Sequence, residues 1–473
     1  MLAGVVIGAG NRGADAYLPY LDRHPDEARI VAVAEPDRAR REAFARRHRL
    51  GPERCFDDYR ALFATERMAD FALVATADDL HFEPARLALE RGHHVLLEKP
   101  MAIREDECVA LVEAADRAGR ILQVCHVLRY APLFEALHRA IHEGRIGDVV
   151  AIQHSENVST WHYAHSYCRG HWRNSGGSSP LILAKSCHDL DLLYWLAGAE
   201  PESLHSHVRE TELCARNRPA GAPERCIEGC RHSAGCPYDA VAMYLESRPL
   251  GIDLAKTRRA GARVALVRRL VALRDALARS PWSRVSDAVR WRDWPVSTIT
   301  RDTSRAGIEH ALRTTRYGLC VYAVGDNDQP SAQTVDIRFE NGVLANFTLH
   351  GHSHREGREI RVDGTRGSLV GRFHLLEQWL EHHDHKTGRV VEQRFQGDGS
   401  GHGGGDHRLF AGFLASVRGD ADPLTSARQS LTSHRMAFAA DRASRSGASE
   451  SFGDPAQSSM DSRGPGASAR SPE

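Results

Sequence analysis

The sequence predicts an α/β protein in two parts: a parallel sheet wound with helices, then an α+β domain with an open, mainly antiparallel sheet. Three observations predict it. Short apolar, β-branched runs alternate with helical segments over residues 1–125, the pattern of strand, crossover helix and parallel strand. Glycines in G-x-G-x-x-G order follow the first of these runs. From about residue 150 the texture changes: "DVVAIQHSENV", "TVDIRFENGVLANFTLHGHS" and "REIRVDGTRGSLVGRF" alternate apolar with polar residues, as strands with one covered face do.

The first part places strands at 4–7, 30–34, 71–75, 94–97 and 121–125. In "VVIGAGNRG" Gly8 permits a sharp bend, Gly10 lets backbone approach a pyrophosphate, and Gly13 lets the next helix pack closely, its N–H groups facing the anion. Glycine turns also occur in α/β proteins without nucleotides, so a second feature is required. It comes about 20 residues on, where "RIVAVAEPD" ends its strand in Glu35, with Asp37 close behind. A carboxylate there accepts hydrogen bonds from the ribose of NAD and repels the 2′-phosphate of NADP. Arg12, Arg38, Arg40 and Arg41 are cations able to pair with that phosphate, so NADP stays as the alternative. "FALVATADDLH" brings Thr76, Asp78 and His81 to the carboxyl end of the sheet, and "HHVLLEKPMA" brings Glu98, Lys99 and Pro100. Ligands of open α/β sheets bind at that end. The expected dinucleotide contacts are Gly8, Gly10, Asn11, Arg12, Gly13, Glu35, Thr76, His81, Glu98 and Lys99.

Three strand ends thus meet in one crevice of a Rossmann dinucleotide-binding domain over residues 1–125, followed by a substrate-binding and oligomerisation domain over 126–443. "ENG" at 340–342 reads as a hairpin turn. Between Asp253 and Trp294 stand eleven Lys or Arg and four Asp or Glu, with Leu266, Leu270, Leu273 and Leu277 at helical spacing. This predicts a basic amphipathic insertion packed on the second domain with a solvated cationic face. Residues 444–473, rich in Ser, Gly, Ala and Pro, read as a disordered tail.

The chain has 473 residues, 62 basic against 62 acidic. That length suits two cores, and the balance implies no nucleic-acid partner. No apolar run reaches the roughly 18 residues of a membrane span, and the N-terminus lacks the pattern of a signal peptide. The expectation is a cytoplasmic protein without a membrane partner, its open sheet covered by the substrate side or by another subunit in a homo-oligomer, a dimer or a tetramer.

The pairing of "GAGNRG" with "EKP" at 98–100, in that order, resembles the glucose-fructose oxidoreductase and inositol dehydrogenase family, written Gfo/Idh/MocA, over nearly the whole chain to about residue 440. The resemblance implies a Rossmann domain, an open-sheet domain, and hydride transfer between NAD(P) and a hydroxyl carbon of a sugar, sugar acid or cyclitol. It also makes Lys99 the catalytic lysine. Chemistry agrees, because oxidising an alcohol requires a group within hydrogen-bond reach to take the hydroxyl proton. "LILAKSCHDLDLLYWLAG", 181–198, offers His188 as a second group. Family enzymes commonly carry an Asp four residues before this His; here that position is Ala184, and Lys185 stands beside it. His188 is expected to orient or exchange a proton with the substrate oxygen, and Lys185 to contribute a donor or a charge that lowers the pKa of Lys99. Arg129 and Tyr130 in "HVLRYAP", and Tyr322 in "TRYGLCVYAVGDND" with Tyr317, Asn327 and Asp328, are candidate polyol partners. The stretch 157–179, with Trp161, His162, His165, His171 and Trp172, reads as a loop over the site. Two other functions fit the same motifs: an NAD-dependent, redox-assisted glycosidase and a non-catalytic nucleotide-sensing regulator.

Ten cysteines in a chain with no export signal read as thiols. Cys226, Cys230 and Cys236, in C-x3-C-x5-C spacing, with Cys214, Cys168 or His232 as a fourth ligand, are candidates for a structural zinc.

Overall fold

The computed structural model describes residues 1–246, 291–374, 377–398 and 400–453, with isolated positions between 266 and 277. The first sheet is parallel, six-stranded and ordered β3-β2-β1-β4-β5-β6. Its strands are β1 (Leu2–Ile7), β2 (Ala28–Ala34), β3 (Cys55–Phe56), β4 (Phe71–Val74), β5 (His94–Leu97) and β6 (Leu122–Val124). The order reverses direction between β1 and β4, which opens a crevice at their carboxyl ends. β3 is two residues long, too short for any periodicity, and the sequence does not announce it.

Both faces of this sheet are covered, which is why its strands are apolar throughout. Val5, Ile7, Val74 and Leu97 face one side, against the helices Phe82–Glu90 and Glu105–Ala118. Val6, Val33, Leu73 and Leu96 face the other, against Leu409, Phe410, Phe413 and Leu414. Those last residues belong to the helix Gly401–Arg418. A segment within the sequence-predicted second domain therefore packs on the first sheet.

The second sheet has nine strands in the order β14-β13-β12-β11-β7-β10-β9-β8-β15. They are β7 (Val149–Ser159), β8 (Pro201–Arg209), β9 (Ala332–Phe339), β10 (Leu344–Ser353), β11 (Gly357–Gly364), β12 (Gly367–His374), β13 (Glu377–Asp384), β14 (Val390–Arg394) and β15 (Glu450–Ser451). Every pairing is antiparallel except β7 with β10. The β9–β10 turn falls where "ENG" places it, with Gly342 at φ 83° and its N–H donating to the Phe339 carbonyl at 2.8 Å. Val335, Ile337, Phe347, Leu349 and Val362 form the buried face, beneath the helices Cys187–Ala197 and Ala427–Ser446.

Two expectations are corrected or limited. The chain is ordered beyond Ser444: the helix Ala427–Ser446 runs on, and β15 adds to the sheet edge beside β8. Tertiary pairing overrides the composition of these residues, while 454–473 lie outside the described residues. The basic insertion lies mostly outside them too; of its leucines, Leu266, Leu270, Leu273 and Leu277 have helical backbone and are exposed. Among the described residues no helix is long and apolar enough to cross a membrane.

Buried histidines make the fold acid-sensitive. His434 accepts from the Met101 N–H at 2.9 Å and donates to the Ser430 carbonyl at 2.7 Å; burial pushes its pKa, and that of His165, down to about 3. Unfolded, each would titrate near 6.5. Below that value the unfolded state takes up protons that the folded state refuses, so stability is full above about pH 6.5 and falls as pH drops toward 3. Thermal melts should be level above about pH 6.5 and fall steeply toward pH 4, with a shallower fall in His434→Gln. A melting temperature level down to pH 4 would contradict the burial of neutral imidazoles.

Candidate active site

The crevice at the β1/β4 reversal holds a cleft of about 800 Å³. Its lining comes from Gly8, Gly10, Asn11 and Arg12 after β1, Glu35, Pro36 and Arg40 after β2, Thr76, Asp78 and His81 after β4, Glu98 and Lys99 after β5, and His171, Trp172, His188 and His402. The three glycines divide the work by geometry. Gly8 has φ 89°, where L side chains are strained, and a Cβ on Gly13 would stand 2.0 Å from the Gly8 carbonyl oxygen. Gly10 differs: a Cβ there meets nothing within 4 Å and would occupy the cleft itself. The turn thus presents open backbone to a ligand, and this is the observation that a dinucleotide's pyrophosphate fits. The segment after it is a six-residue π-helical turn, Asn11–Ala16, rather than a long helix.

Glu35 ends β2 buried, with Oε2 accepting from the Ala9 N–H at 2.8 Å and Oε1 from the Asp37 N–H at 2.9 Å. Its carboxylate therefore fixes the glycine turn against β2 and still has lone pairs for ribose hydroxyls. Of the four arginines set against it, Arg41 donates to the Glu35 and Pro36 carbonyls, Arg38 pairs with Glu42, and Arg12 turns to Glu98 and Asp406. Arg40 lines the cleft beside Glu35.

His81 is held by the carbonyls of Pro100 at 2.6 Å and Thr76 at 3.2 Å, tying the ends of β4 and β5 together. Asp78 accepts from Trp172 Nε1 at 2.8 Å and Ser179 Oγ at 3.2 Å. That pair brings the 157–179 segment over the cleft.

Lys99 Nζ donates to the Ala184 carbonyl at 2.7 Å. Glu98 is engaged elsewhere, by Arg12 Nε at 2.6 Å and Tyr17 Oη at 2.5 Å. Burial would raise the Glu98 carboxyl pKa, yet Arg12 and Tyr17 hold it below the ordinary value. At position 184 there is no acidic side chain, and the backbone carbonyl takes the lysine. His188 lies buried in the cleft wall; burial first, then Lys99 and the neighbouring histidines, push its pKa well below the ordinary value, so it is neutral. Lys185 pairs with Glu156 at 3.2 Å, inside a buried charge cluster where Arg358 bridges Glu156 and Asp189 at 2.7 Å each. It does not line the cleft.

The candidate substrate residues separate. Arg129 is buried and bidentate on Asp191, both bonds 2.7 Å. Tyr130 is buried, its hydroxyl accepting from Gln123 Nε2 at 3.0 Å. Tyr322 packs edge-on to Tyr238, with ring centroids 6.4 Å apart. None of the three lines the cleft. Asn327 and Asp328 are engaged by the Leu213 carbonyl and by Ser175. Of the aromatic stretch, His171 and Trp172 reach the cleft, while His162 pairs with Glu356 and His165 with Tyr244. His402 and Asp406 belong to "GHGGGD", a glycine-rich run whose residues have no spacing that marks a site.

The zinc expectation is corrected. Among the described residues no group of three or more His, Cys, Asp or Glu is arranged to hold a metal ion. Cys226 instead lies 3.7 Å from Arg169 Nη2, Cys214 accepts from Asn217, Cys168 faces the Val321 carbonyl, and His232 meets the Ala220 carbonyl. Burial raises the Cys226 and Cys236 thiol pKa values, which keeps both protonated. The 214–236 loop is anchored by arginine–carbonyl bonds, Arg225 to Thr315 and Arg169 to Tyr238, both 2.7 Å.

Comparisons with known proteins meet this geometry. A family model described as oxidoreductase family, NAD-binding Rossmann fold, matches residues 2–126, and its companion, the C-terminal alpha/beta domain, matches 138–246 and 322–450. The chain is 31% identical over 222 residues to inositol 2-dehydrogenase 2 of Saccharopolyspora erythraea, a match covering 45% of this chain and 58% of that enzyme. It thus spans little more than half of that relative's length. Among solved structures it superposes on the aldose-aldose oxidoreductase of Caulobacter crescentus complexed with glycerol, at TM-score 0.61 and 13% identity over 95% of this chain and 99% of that one. It also superposes on the WlbA dehydrogenase of Bordetella pertussis in complex with NADH and UDP-GlcNAcA, at TM-score 0.57 and 17% identity over 96% of this chain and 99% of that one. These two likenesses show the fold.

Proposed function

The chain belongs to the Gfo/Idh/MocA oxidoreductase family, and from that premise we propose that it transfers hydride between NAD and a hydroxyl-bearing carbon of a sugar, sugar acid or cyclitol. The observation that carries this is the single cleft joining the open glycine turn and Glu35 to Lys99 and His188. The nicotinamide, when bound, supplies the hydride acceptor or donor. Gly8, Gly10, Asn11, Gly13 and Glu35 would hold the dinucleotide, with Arg12, Thr76, His81 and Glu98 shaping the wall beside it. Lys99, fixed on the Ala184 carbonyl, sets its ammonium at the reacting oxygen and stabilises the negative charge that grows there as the hydroxyl proton leaves. His188, neutral, orients that oxygen through a hydrogen bond. Lys185 acts through the turn that carries Ala184 and thereby through the position of Lys99. Trp172, pinned by Asp78, covers the cleft and excludes water.

Buried Glu35 predicts the dinucleotide. NADH should bind at least about tenfold more tightly than NADPH, a difference of about 1.4 kcal/mol, and Glu35→Ala should narrow the ratio; tighter binding of NADPH would overturn the assignment. The reaction is tested by following the reduced-nicotinamide absorbance while sugars, sugar acids and inositols are offered with NAD⁺. Turnover with a member of that panel is expected, and its absence in protein that binds NADH would reject the hydride-transfer reading.

A further inference from the structure

His402 and Asp406 lie outside every motif used so far, and their geometry is built rather than incidental. His402 has φ 50° and ψ 41°, a left-handed conformation that L side chains rarely adopt. Its neighbours Gly403 and Gly404 have positive φ as well, so the chain meets this turn with glycine and yet places an imidazole in it. Strain kept at one side-chain-bearing position points to function.

The imidazole is oriented from behind. Nδ1 lies 2.9 Å from Asp406 Oδ1. Asp406 is 1% exposed and receives Arg12 on both oxygens, Nη1 to Oδ2 at 3.0 Å and Nη2 to Oδ1 at 3.1 Å. Burial would raise the Asp406 carboxyl pKa, but His402 and Arg12 hold it well below the carboxylate range. An ionised carboxylate only accepts, so Nδ1 carries the hydrogen and Nε2 is left with its lone pair. His402 lines the cleft with Lys99 and His188, its ring centroid 5.9 Å from that of His188. Asp406 is the charged group it touches, Arg12 on the turn after β1 stands behind that carboxylate, and Glu98 and Lys99 after β5, with Glu35, Arg40 and Asp78, line the same cleft. His188 is the titratable neighbour across the cleft, and Asp398 is paired with His407 at 3.2 Å.

We propose that His402, backed by Asp406, is the acid–base residue of the site. As the alcohol is oxidised its O–H bond breaks and the proton passes to His402 Nε2; the carbinol C–H bond breaks with its electron pair going as hydride to the oxidised nicotinamide, and C–O becomes C=O. In the reverse direction the imidazolium returns the proton. His188 is a weaker candidate, because it has no carboxylate partner and sits beside the Lys99 ammonium. This assignment rests on the hydride-transfer reading.

The test uses the full chain with two variants and two readouts. In His402→Gln, kcat should fall about 10²–10⁴-fold, the low-pH limb of the kcat profile should vanish, and NADH binding should be unchanged. In Asp406→Asn the imidazolium loses its partner, so the low-pH limb should move to lower pH. NMR titration of the His402 ring, assigned by its loss in His402→Gln, should show the same downward move without any turnover. An unmoved titration, or a His402→Gln enzyme with wild-type kcat and pH profile, overturns the dyad while leaving the hydride-transfer reading standing. A wild-type protein that binds NADH and turns over no member of the panel overturns that reading, and the base role with it.

Discussion

Replacing Lys99 by methionine should lower kcat by about 10²–10⁴-fold, the span that one positioned proton-transfer or charge-stabilising group supplies, with NADH affinity unchanged. Methionine keeps the length and the packing of the stem and removes the ammonium. Lys99 Nζ stands on the Ala184 carbonyl at 2.7 Å, while the bonds that hold the glycine turn on Glu35 do not involve it. A merely structural lysine gives a different result: the lost Ala184 bond would lower the melting temperature while kcat stayed within a small factor. Steady-state kinetics, a thermal melt and NADH titration on the same variant separate the two.

Asp191→Leu should cost about 3–5 kcal/mol of folding free energy, the penalty for leaving one member of a buried ion pair alone. The Arg129 guanidinium is bidentate on Asp191 at 2.7 Å and reaches the Leu424 carbonyl at 3.2 Å. It thereby joins the exit of β6, the helix Cys187–Ala197 and the start of the C-terminal helix region in one buried knot. Burial raises the Asp191 carboxyl pKa even though Arg129 opposes it, a sign of how dry the pair is. The double variant Arg129→Met/Asp191→Leu removes both charges and should recover most of the loss. Urea unfolding of the three proteins measures this. A single variant as stable as wild type but with a raised KM would return Arg129 to the substrate.

What could be read in the sequence is what depends on neighbours in the chain. Gly8, Gly10 and Gly13 announce their turn because a bend, an approach and a close packing each need a missing Cβ within six residues. Lys99 follows from a strand end and a short motif. The second sheet is legible through its alternation, and the β9–β10 turn through three residues. Arg129 illustrates the limit: a cation after β6 looks available to a ligand until Asp191, 62 residues on, is folded against it. His402 and Asp406 are illegible for the same reason at larger scale, since Arg12, which fixes Asp406, is 394 residues away. The cysteines of 214–236 have ligand-like spacing, yet Cys226 folds against Arg169 and the Leu319 carbonyl and Cys214 against Asn217. Residues 444–453 have the composition of a loose tail, but a helix and a sheet edge give them partners that composition does not encode.

The helix Gly401–Arg418 sets the timing of synthesis. The face of the first sheet bearing Val6, Val33 and Leu73 has only Tyr17, Leu18, Phe44 and the residues after β6 to cover it until Leu409, Phe410, Phe413 and Leu414 have left the ribosome. At translation rates of roughly 5–20 residues per second, the interval between residue 126 and residue 414 is on the order of tens of seconds. During it the nascent first domain carries a partly uncovered apolar sheet. A fragment ending at residue 126 should aggregate, and a nascent chain should become protease-resistant in its first domain only after residue 414 emerges. The glycine turn of the cleft comes first in the chain, and His402, in the wall of the same cleft, comes among the last.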